Sequence, residues 1–327
     1  MKQVLRQTRS HLMGLFRQHG LFPRGDLGQN FLIDLNILES IVNAADLVPS
    51  DVVLEVGTGT GGLTLFLAAR AGRVVSVEYD QNMYAFAREQ IAAWNNVCLL
   101  NQDALKNKNQ LAPEVLGAVD TAIREQTAEN LSANIEPTIP AFKLVANLPY
   151  KVGTNVISNL VATELPWTRM VVTLQWELGE RLMAKPGTSE YSALTVWLQS
   201  QCTVQVLKKL PPSVFWPPPT IDSVVLRIDP APERRALIKD RTFFHHMVRD
   251  LFSHRRKLLR GTLKNMYGRQ LCGDWLTTLY RDLGFGENTR AEELSPVQLV
   301  TLANRIHNDL ARVGQSEPAG TDGQEER

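Results

Sequence analysis

Residues Gly57-Thr58-Gly59-Thr60-Gly61-Gly62 form a stretch suited to bringing the backbone close to a ligand. Glycine turns sharply and carries no Cβ, and a helix that starts here offers unpaired N–H groups. Gly57, Gly59 and Gly62 satisfy GxGxxG, and Glu78 closes the next apolar run 21 residues after Gly57. At that place an acid can accept both hydroxyls of a ribose, in a nicotinamide dinucleotide or in S-adenosylmethionine. Glu55, directly before the glycines, and Asp103, suited to an exocyclic adenine amine, favour S-adenosylmethionine. A further apolar run ends in Asn147-Leu148-Pro149-Tyr150. An adenine N6 amine is a weak nucleophile because its lone pair is delocalised into the ring. If the Asn147 side-chain oxygen and the carbonyl of Leu148 or Pro149 accept its hydrogens, the lone pair is drawn towards sp3 character and aimed at an electrophilic methyl. Proline stiffens the carbonyls and Tyr150 can stack on the base. That chemistry needs no metal and no strong general base.

These groups must be held by strands that end at one edge. VVLEV (52–56), VVSVE (74–78), KLVAN (143–147) and MVVTLQ (170–175) are apolar, β-branched runs, and amphipathic stretches at 62–70, 81–93 and 153–163 lie between them. The alternation predicts an α/β domain with a largely parallel sheet covered on both faces. Glycines, Glu78, Asp103 and Asn147 then share the carboxyl edge of the sheet. Residues 106–141 are polar, with Pro113, Pro137 and Pro140 as punctuation, and read as a surface insertion of modest order holding one helix around Val115, Val119 and Ile123. LPPSVFWPPPTID (210–222) excludes a helix and is followed by an apolar strand, SVVLRI.

With 327 residues the chain has room for two domains. A net charge of +1 leaves any nucleic-acid partner to local patches of charge rather than to the whole molecule. Cys98, Cys202 and Cys272 lie too far apart for a disulfide framework or a zinc cluster, which suits a reducing cytoplasm. No apolar run approaches the length of a membrane span. The first 25 residues carry Lys2, Arg6, Arg9, Arg17 and Arg24 and no acid. They read as a basic arm, with a mitochondrial presequence as the rival explanation.

After residue 232 the chain turns helical and basic. Arg249, Arg255, Arg256, Lys257, Arg260, Lys264 and Arg269 face a single acid, Asp250, between 249 and 269. Such helices bind phosphates by charge and counterion release. His245, His246 and His254 have no accompanying cysteine or carboxylate pattern and are read as surface or RNA-facing, not metal ligands. The expected boundaries are an arm at 1–25, a domain at 26–231, a helical basic domain at 232–312 and a disordered acidic tail at 313–327.

Seven stretches in order resemble one family, the small-subunit rRNA adenine N6,N6-dimethyltransferases of the KsgA (RsmA) type. They are LGQNFL (27–32), LEVGTGTGGLT (54–64), VSVEYD (75–80), QDAL (102–105), NLPY (147–150), PPSVFWPPPTIDSVVLRI (211–228) and FSHRRKLLRGTL (252–263). The resemblance spans roughly 24–310 and implies a Rossmann-like class I methyltransferase domain with a smaller helical C-terminal domain. By the same resemblance Asn30, Leu32, Gly57, Gly59, Glu78, Asp103 and Asn147 hold S-adenosyl-L-methionine. Asn147, Leu148, Pro149 and Tyr150 form the catalytic loop, and Phe215 becomes a second face for an adenine taken out of its stack. The implied substrate is a pair of adjacent adenosines in the 3′-terminal hairpin loop of small-subunit rRNA, as the RNA itself or within an immature small subunit; the chain is read as a cytoplasmic monomer with no membrane partner. Trp176, Trp216 and Thr220 depart from the resemblance, which implies smaller or basic residues there and fewer phosphate contacts here. Two rival readings stand beside it. One is a large-subunit rRNA adenine methyltransferase of the macrolide-resistance type, disfavoured by NLPY and RRKLLRGTL. The other is a non-catalytic ribosome-assembly or mitochondrial transcription factor on the same fold.

Overall fold

The computed structural model describes residues 9–132, 140–271 and 273–316. Lys2, Arg6, Pro137, Cys272 and residues 317–327 of the expected tail lie outside the described residues, whereas 313–316, expected to begin that tail, continue the helix Pro296–Ser316. The chain divides into two compact units, 1–180 with 202–230 and 181–201 with 231–327.

The first unit is built on seven strands: β1 (Val52–Val56), β2 (Arg73–Glu78), β3 (Val97–Asn101), β4 (Phe142–Asn147), β5 (Trp167–Gln175), β6 (Cys202–Leu210) and β7 (Ser223–Pro230). Their order is β3-β2-β1-β4-β5-β7-β6. The first five are parallel, and β7 runs antiparallel to both β5 and β6. β1 and β4 are mostly apolar and, up to the half-buried Asn147 that ends β4, buried, because helices cover the sheet. The strand order reverses between β1 and β4, so the crevice at their carboxyl ends is the expected ligand site.

Two expectations from sequence change. Of the expected insertion at 106–141, the described residues up to 132 are regular: a short hairpin (Leu105–Asn107 with Gln110–Leu111) leads into a 20-residue helix, Pro113–Ser132, while 133–139 lie outside the described residues. Parallel neighbours need a long crossover, and this helix makes the one from β3, at the sheet edge, to β4 beyond β1. Val115, Val119, Ala122, Gln126 and Asn130 form its buried face, with Gln126 donating to Asn130 Oδ1 at 3.0 Å. The polar members Gln126 and Asn130 pair with each other, which is why the buried face does not stand out as apolar. Within the expected basic arm at 1–25, residues 9–18 do not hang free either. Arg9–Gln18 is a helix that buries Leu12 and Phe16.

The second unit is helical, with Arg241–Phe252, Leu259–Tyr267, Trp275–Leu283 and Pro296–Ser316 as its main helices. It also takes in 181–201, which the sequence reading places in the first domain. Tyr191 is fully buried and its hydroxyl donates to the Leu294 carbonyl at 2.8 Å, while the Trp197 ring lies 6.3 Å from Phe244. The apolar face of Ala193–Gln199 is buried among the C-terminal helices.

Candidate active site

Gly57, Gly59, Glu78, Asp103, Asn30 and the loop Asn147–Tyr150 line one pocket at the carboxyl edge of the sheet. The glycine turn is required sterically. Gly57 has φ +87°, and a Cβ there would sit 2.9 Å from Pro149 Cδ; Gly59 has φ +53°, and its Cβ would meet the Phe31 ring at 2.9 Å. Both the left-handed backbone and the close approach exclude a side chain. The turn is pinned from below by Gly57 N–H donating to the Val77 carbonyl at 2.9 Å.

Glu78 ends β2 and is 7% exposed. Its Oε2 accepts the Gly59 N–H at 2.7 Å and its Oε1 accepts the Asp80 N–H at 2.9 Å. Burial raises its carboxyl above the ordinary glutamate range, against the pull of these N–H donors. Each oxygen keeps a lone pair for a ribose hydroxyl. Asp103 accepts the Leu105 N–H at 2.9 Å, and its side chain lies at the same pocket.

Glu55 is not at the ligand surface, contrary to the sequence reading. It is 1% exposed, and its Oε2 accepts from Thr64 and Ser76 hydroxyls, each at 2.6 Å, with Thr58 bonded to Ser76 at 2.6 Å. It ties the glycine turn and the following helix to β2. Burial pushes its carboxyl up to about 8 from the ordinary 4.5. A folded-state value above the unfolded one means that the folded chain holds the proton more tightly. The stability it contributes is full below about 4.5 and is lost as pH rises towards about 8. Every tenfold gain in proton affinity is worth about 1.4 kcal/mol, so several kcal/mol are at stake. Glu55→Gln keeps the neutral shape, so thermal melts should show a flatter profile between pH 5 and pH 9 and a higher Tm than the parent at the alkaline end.

In the catalytic loop Asn147 Nδ2 donates to the Asn30 carbonyl at 3.1 Å, and Oδ1 is buried without a hydrogen-bond partner. The Pro149 carbonyl accepts the Val152 and Gly153 N–H groups at 3.1 and 3.0 Å, closing the turn into helix Gly153–Ala162. With the Pro149 carbonyl so engaged, Leu148 carries the other of the two main-chain carbonyls that the sequence left open, and it lines the pocket. The Tyr150 hydroxyl bonds Ser223 Oγ at 2.7 Å, and burial raises its titration, so it stays protonated.

Two expected site residues lie elsewhere. Leu32 and Phe215 are register partners in a two-residue ladder, Phe31–Leu32 with Phe215–Trp216, and both sit in the hydrophobic core. Phe215 is 2% exposed, so its ring is a core side chain and not a face of the pocket. An aromatic between apolar neighbours and prolines is buried by the same hydrophobic drive that fills any core. Sequence reasoning also missed three residues. Phe31 lines the pocket beside Asn30, Tyr79 lines it while 63% exposed, and Ser223 fixes Tyr150. Position gave a signal for the first two, since each directly follows a residue already assigned to the ligand.

Of the basic residues, Arg255 and Arg260 are engaged within the second unit. Arg255 donates to the Tyr191 carbonyl at 2.5 Å and pairs with Glu292 at 3.5 Å. Arg260 bonds Glu287 at 3.2 Å and Thr277 at 3.0 Å and lies over the Tyr280 ring. Arg249 is exposed and pairs with Asp250 at 3.6 Å, while Arg256, Lys257 and Lys264 are exposed.

The fold is that of class I methyltransferases. It is shared with a dimethyladenosine transferase from Plasmodium falciparum (TM-score 0.67, 23% identity, 84% of this chain and 97% of that one). It is shared too with the 23S rRNA methyltransferase ErmE (TM-score 0.57, 22% identity, 85% and 100%). The family model for ribosomal RNA adenine dimethylase matches residues 23–308, and the chain belongs to that family. It is 36% identical over 260 residues to ribosomal RNA small subunit methyltransferase A of Moorella thermoacetica, covering 79% of this chain and 85% of that protein. The protein of the same name from Pelotomaculum thermopropionicum is 36% identical over 293 residues, 89% of this chain and 93% of its own.

Proposed function

We propose that the chain transfers methyl groups from S-adenosylmethionine to the N6 amines of two adjacent adenosines in the 3′-terminal hairpin loop of small-subunit rRNA. The observation that carries this reading is the orientation of Asn147: its nitrogen is committed to the Asn30 carbonyl, leaving Oδ1 as an unpaired acceptor. A buried acceptor without a partner costs roughly 1–3 kcal/mol, which an incoming amine repays.

S-adenosylmethionine supplies a methyl on a positively charged sulfur, which keeps the bonding pair and leaves as a thioether when the amine nitrogen takes the methyl. Glu78 and Asp103 would hold its ribose and adenine, and the bare backbone at Gly57 and Gly59 admits it closely. Asn147 Oδ1 and the Leu148 carbonyl accept the two N6 hydrogens and turn the lone pair out of the ring plane. Tyr150 offers the stacking face, held by Ser223. After one methylation only one N–H remains, so the second transfer runs with one of the two acceptors engaged. The excess proton on nitrogen passes to water, since a methylated aryl amine cation is a strong acid.

An immature small subunit in the cytoplasm is the setting that this substrate implies. No helix among the described residues is long and apolar enough to cross a membrane. The exposed cations Arg256, Lys257 and Lys264 are read as phosphate contacts. Reversing all three should weaken rRNA binding and lower the slope of log affinity against log salt by about 2. Arg255→Ala should instead lower Tm, because its partners are Tyr191 and Glu292. An unchanged salt slope in the triple variant removes that surface from the interface.

The reading is tested by incubating the protein with labelled S-adenosylmethionine and, separately, with unmethylated small and large ribosomal subunits. N6,N6-dimethyladenosine in the small-subunit 3′ hairpin is expected by mass spectrometry. Label confined to the large subunit, or binding without label, overturns it.

A further inference from the structure

The helix Arg9–Gln18 precedes the residues that match the family, which begin at 23. Its buried side chains are Leu12 and Phe16. Phe16 meets three rings edge-on: Phe31 at 5.6 Å, Phe86 at 5.6 Å and Trp216 at 4.9 Å. Phe16, Phe31, Met83 and Phe86 form a small core of their own, separate from the main one, with Trp216 packed against it. Phe31 and Trp216 are register partners in the two-residue ladder. So short a ladder has little stiffness of its own and takes its place from what packs on it.

The residue before Phe31 is Asn30, whose carbonyl accepts the Asn147 Nδ2–H. A carbonyl only accepts, so this bond decides which way the Asn147 amide points. Turned over, the amide would present N–H to the N–H of an incoming amine, donor against donor.

We propose that helix Arg9–Gln18 is a positioning element of the active site, acting through Phe16 and Trp216 on the strand that holds Asn30 against Asn147. The proposal rests on Asn147 being the acceptor of the adenine amine. It also gives one reason for two features of this chain, a helix upstream of the matched residues and a tryptophan at 216, each of which supplies a ring for the other. Phe16 and Trp216 touch no reacting atom; they act through Phe31 and the Asn30 backbone.

The test uses the full chain with Phe16→Ala, Phe16→Leu, Trp216→Ala and the double alanine variant. The readouts are kcat at saturating RNA and methyl donor, together with stoichiometry and Kd for S-adenosylmethionine by calorimetry. Phe16→Ala is expected to lower kcat roughly tenfold, the scale of a small misplacement of a catalytic group. The methyl donor should still bind one per chain, with Kd raised by no more than about threefold, and Phe16→Leu should recover most of the rate. Trp216→Ala should give a similar loss, and the double variant should be about as slow as the slower single variant, because both remove one contact. An unchanged kcat in Phe16→Ala overturns the proposal. So does a rate loss matched by a fall in stoichiometry, which marks unfolding, or by an equal loss of donor affinity, which marks support of the donor pocket alone. Failure of the wild-type chain to methylate RNA would instead refute the reading of Asn147, and the two failures are told apart in one set of assays.

Discussion

Replacing Asn147 by alanine is expected to slow methyl transfer by roughly a thousandfold while leaving rRNA affinity within about twofold of the parent. The side chain contributes two things that alanine lacks. Its Oδ1 is the buried acceptor that draws one amine hydrogen out of the base plane, and its Nδ2 ties the end of β4 to the Asn30 carbonyl at 3.1 Å. Neither contact involves a phosphate, and the exposed cations on the helical unit remain in the variant. Loss of about 4 kcal/mol from the transition state, with binding intact, should therefore appear in kcat and not in Kd. Single-turnover transfer on a preformed complex, with filter binding run in parallel, separates the two. A variant that retains more than about a tenth of the parent rate would show that the Leu148 carbonyl and stacking suffice, and Asn147 would lose its catalytic role.

How far the site was legible in sequence depended on how each residue is held. Gly57, Glu78 and Asn147 could be placed because strand ends fix side chains at one edge and the residue types narrow the chemistry; the parallel order of β1 to β5 then brings them together. Leu32 and Phe215 could not be placed in that way. They belong to a ladder of two residue pairs between segments about 180 residues apart in the chain, and no local periodicity signals such a pairing. Glu55 misled because an acid beside a glycine turn looks like a ligand contact, whereas Thr64 and Ser76 satisfy it from within the fold. Arg255 and Arg260 show the limit of reading charge alone. In sequence they are indistinguishable from Arg256, yet tertiary partners engage them. The crossover helix Pro113–Ser132 is easily underestimated from sequence, because a long polar connection looks like elaboration when the strand order β3-β2-β1-β4 in fact demands its length.

Glu78→Ala should weaken S-adenosylmethionine binding by a little over a hundredfold, about 3 kcal/mol, through two losses that reinforce each other. The ribose acceptor disappears, and the Gly59 and Asp80 N–H groups, now bonded at 2.7 and 2.9 Å, are left without their carboxylate. Glu78→Gln separates the two. Its oxygen can still take one N–H, but its NH2 must face the other, so affinity should fall nearly as far although shape and size are kept. The wild-type carboxylate also predicts a pH dependence. The ionised form accepts from backbone and ribose together, and burial raises the pH at which it is lost. Donor affinity should therefore fall on acidification at a higher pH than an ordinary glutamate would give, and the alanine variant should lack that step. Calorimetric Kd values for the parent and both variants across pH 4 to pH 8 provide the check. Affinity in Glu78→Ala within about threefold of the parent, or an acid limb that persists in it, would move the ribose contact to another residue of the pocket.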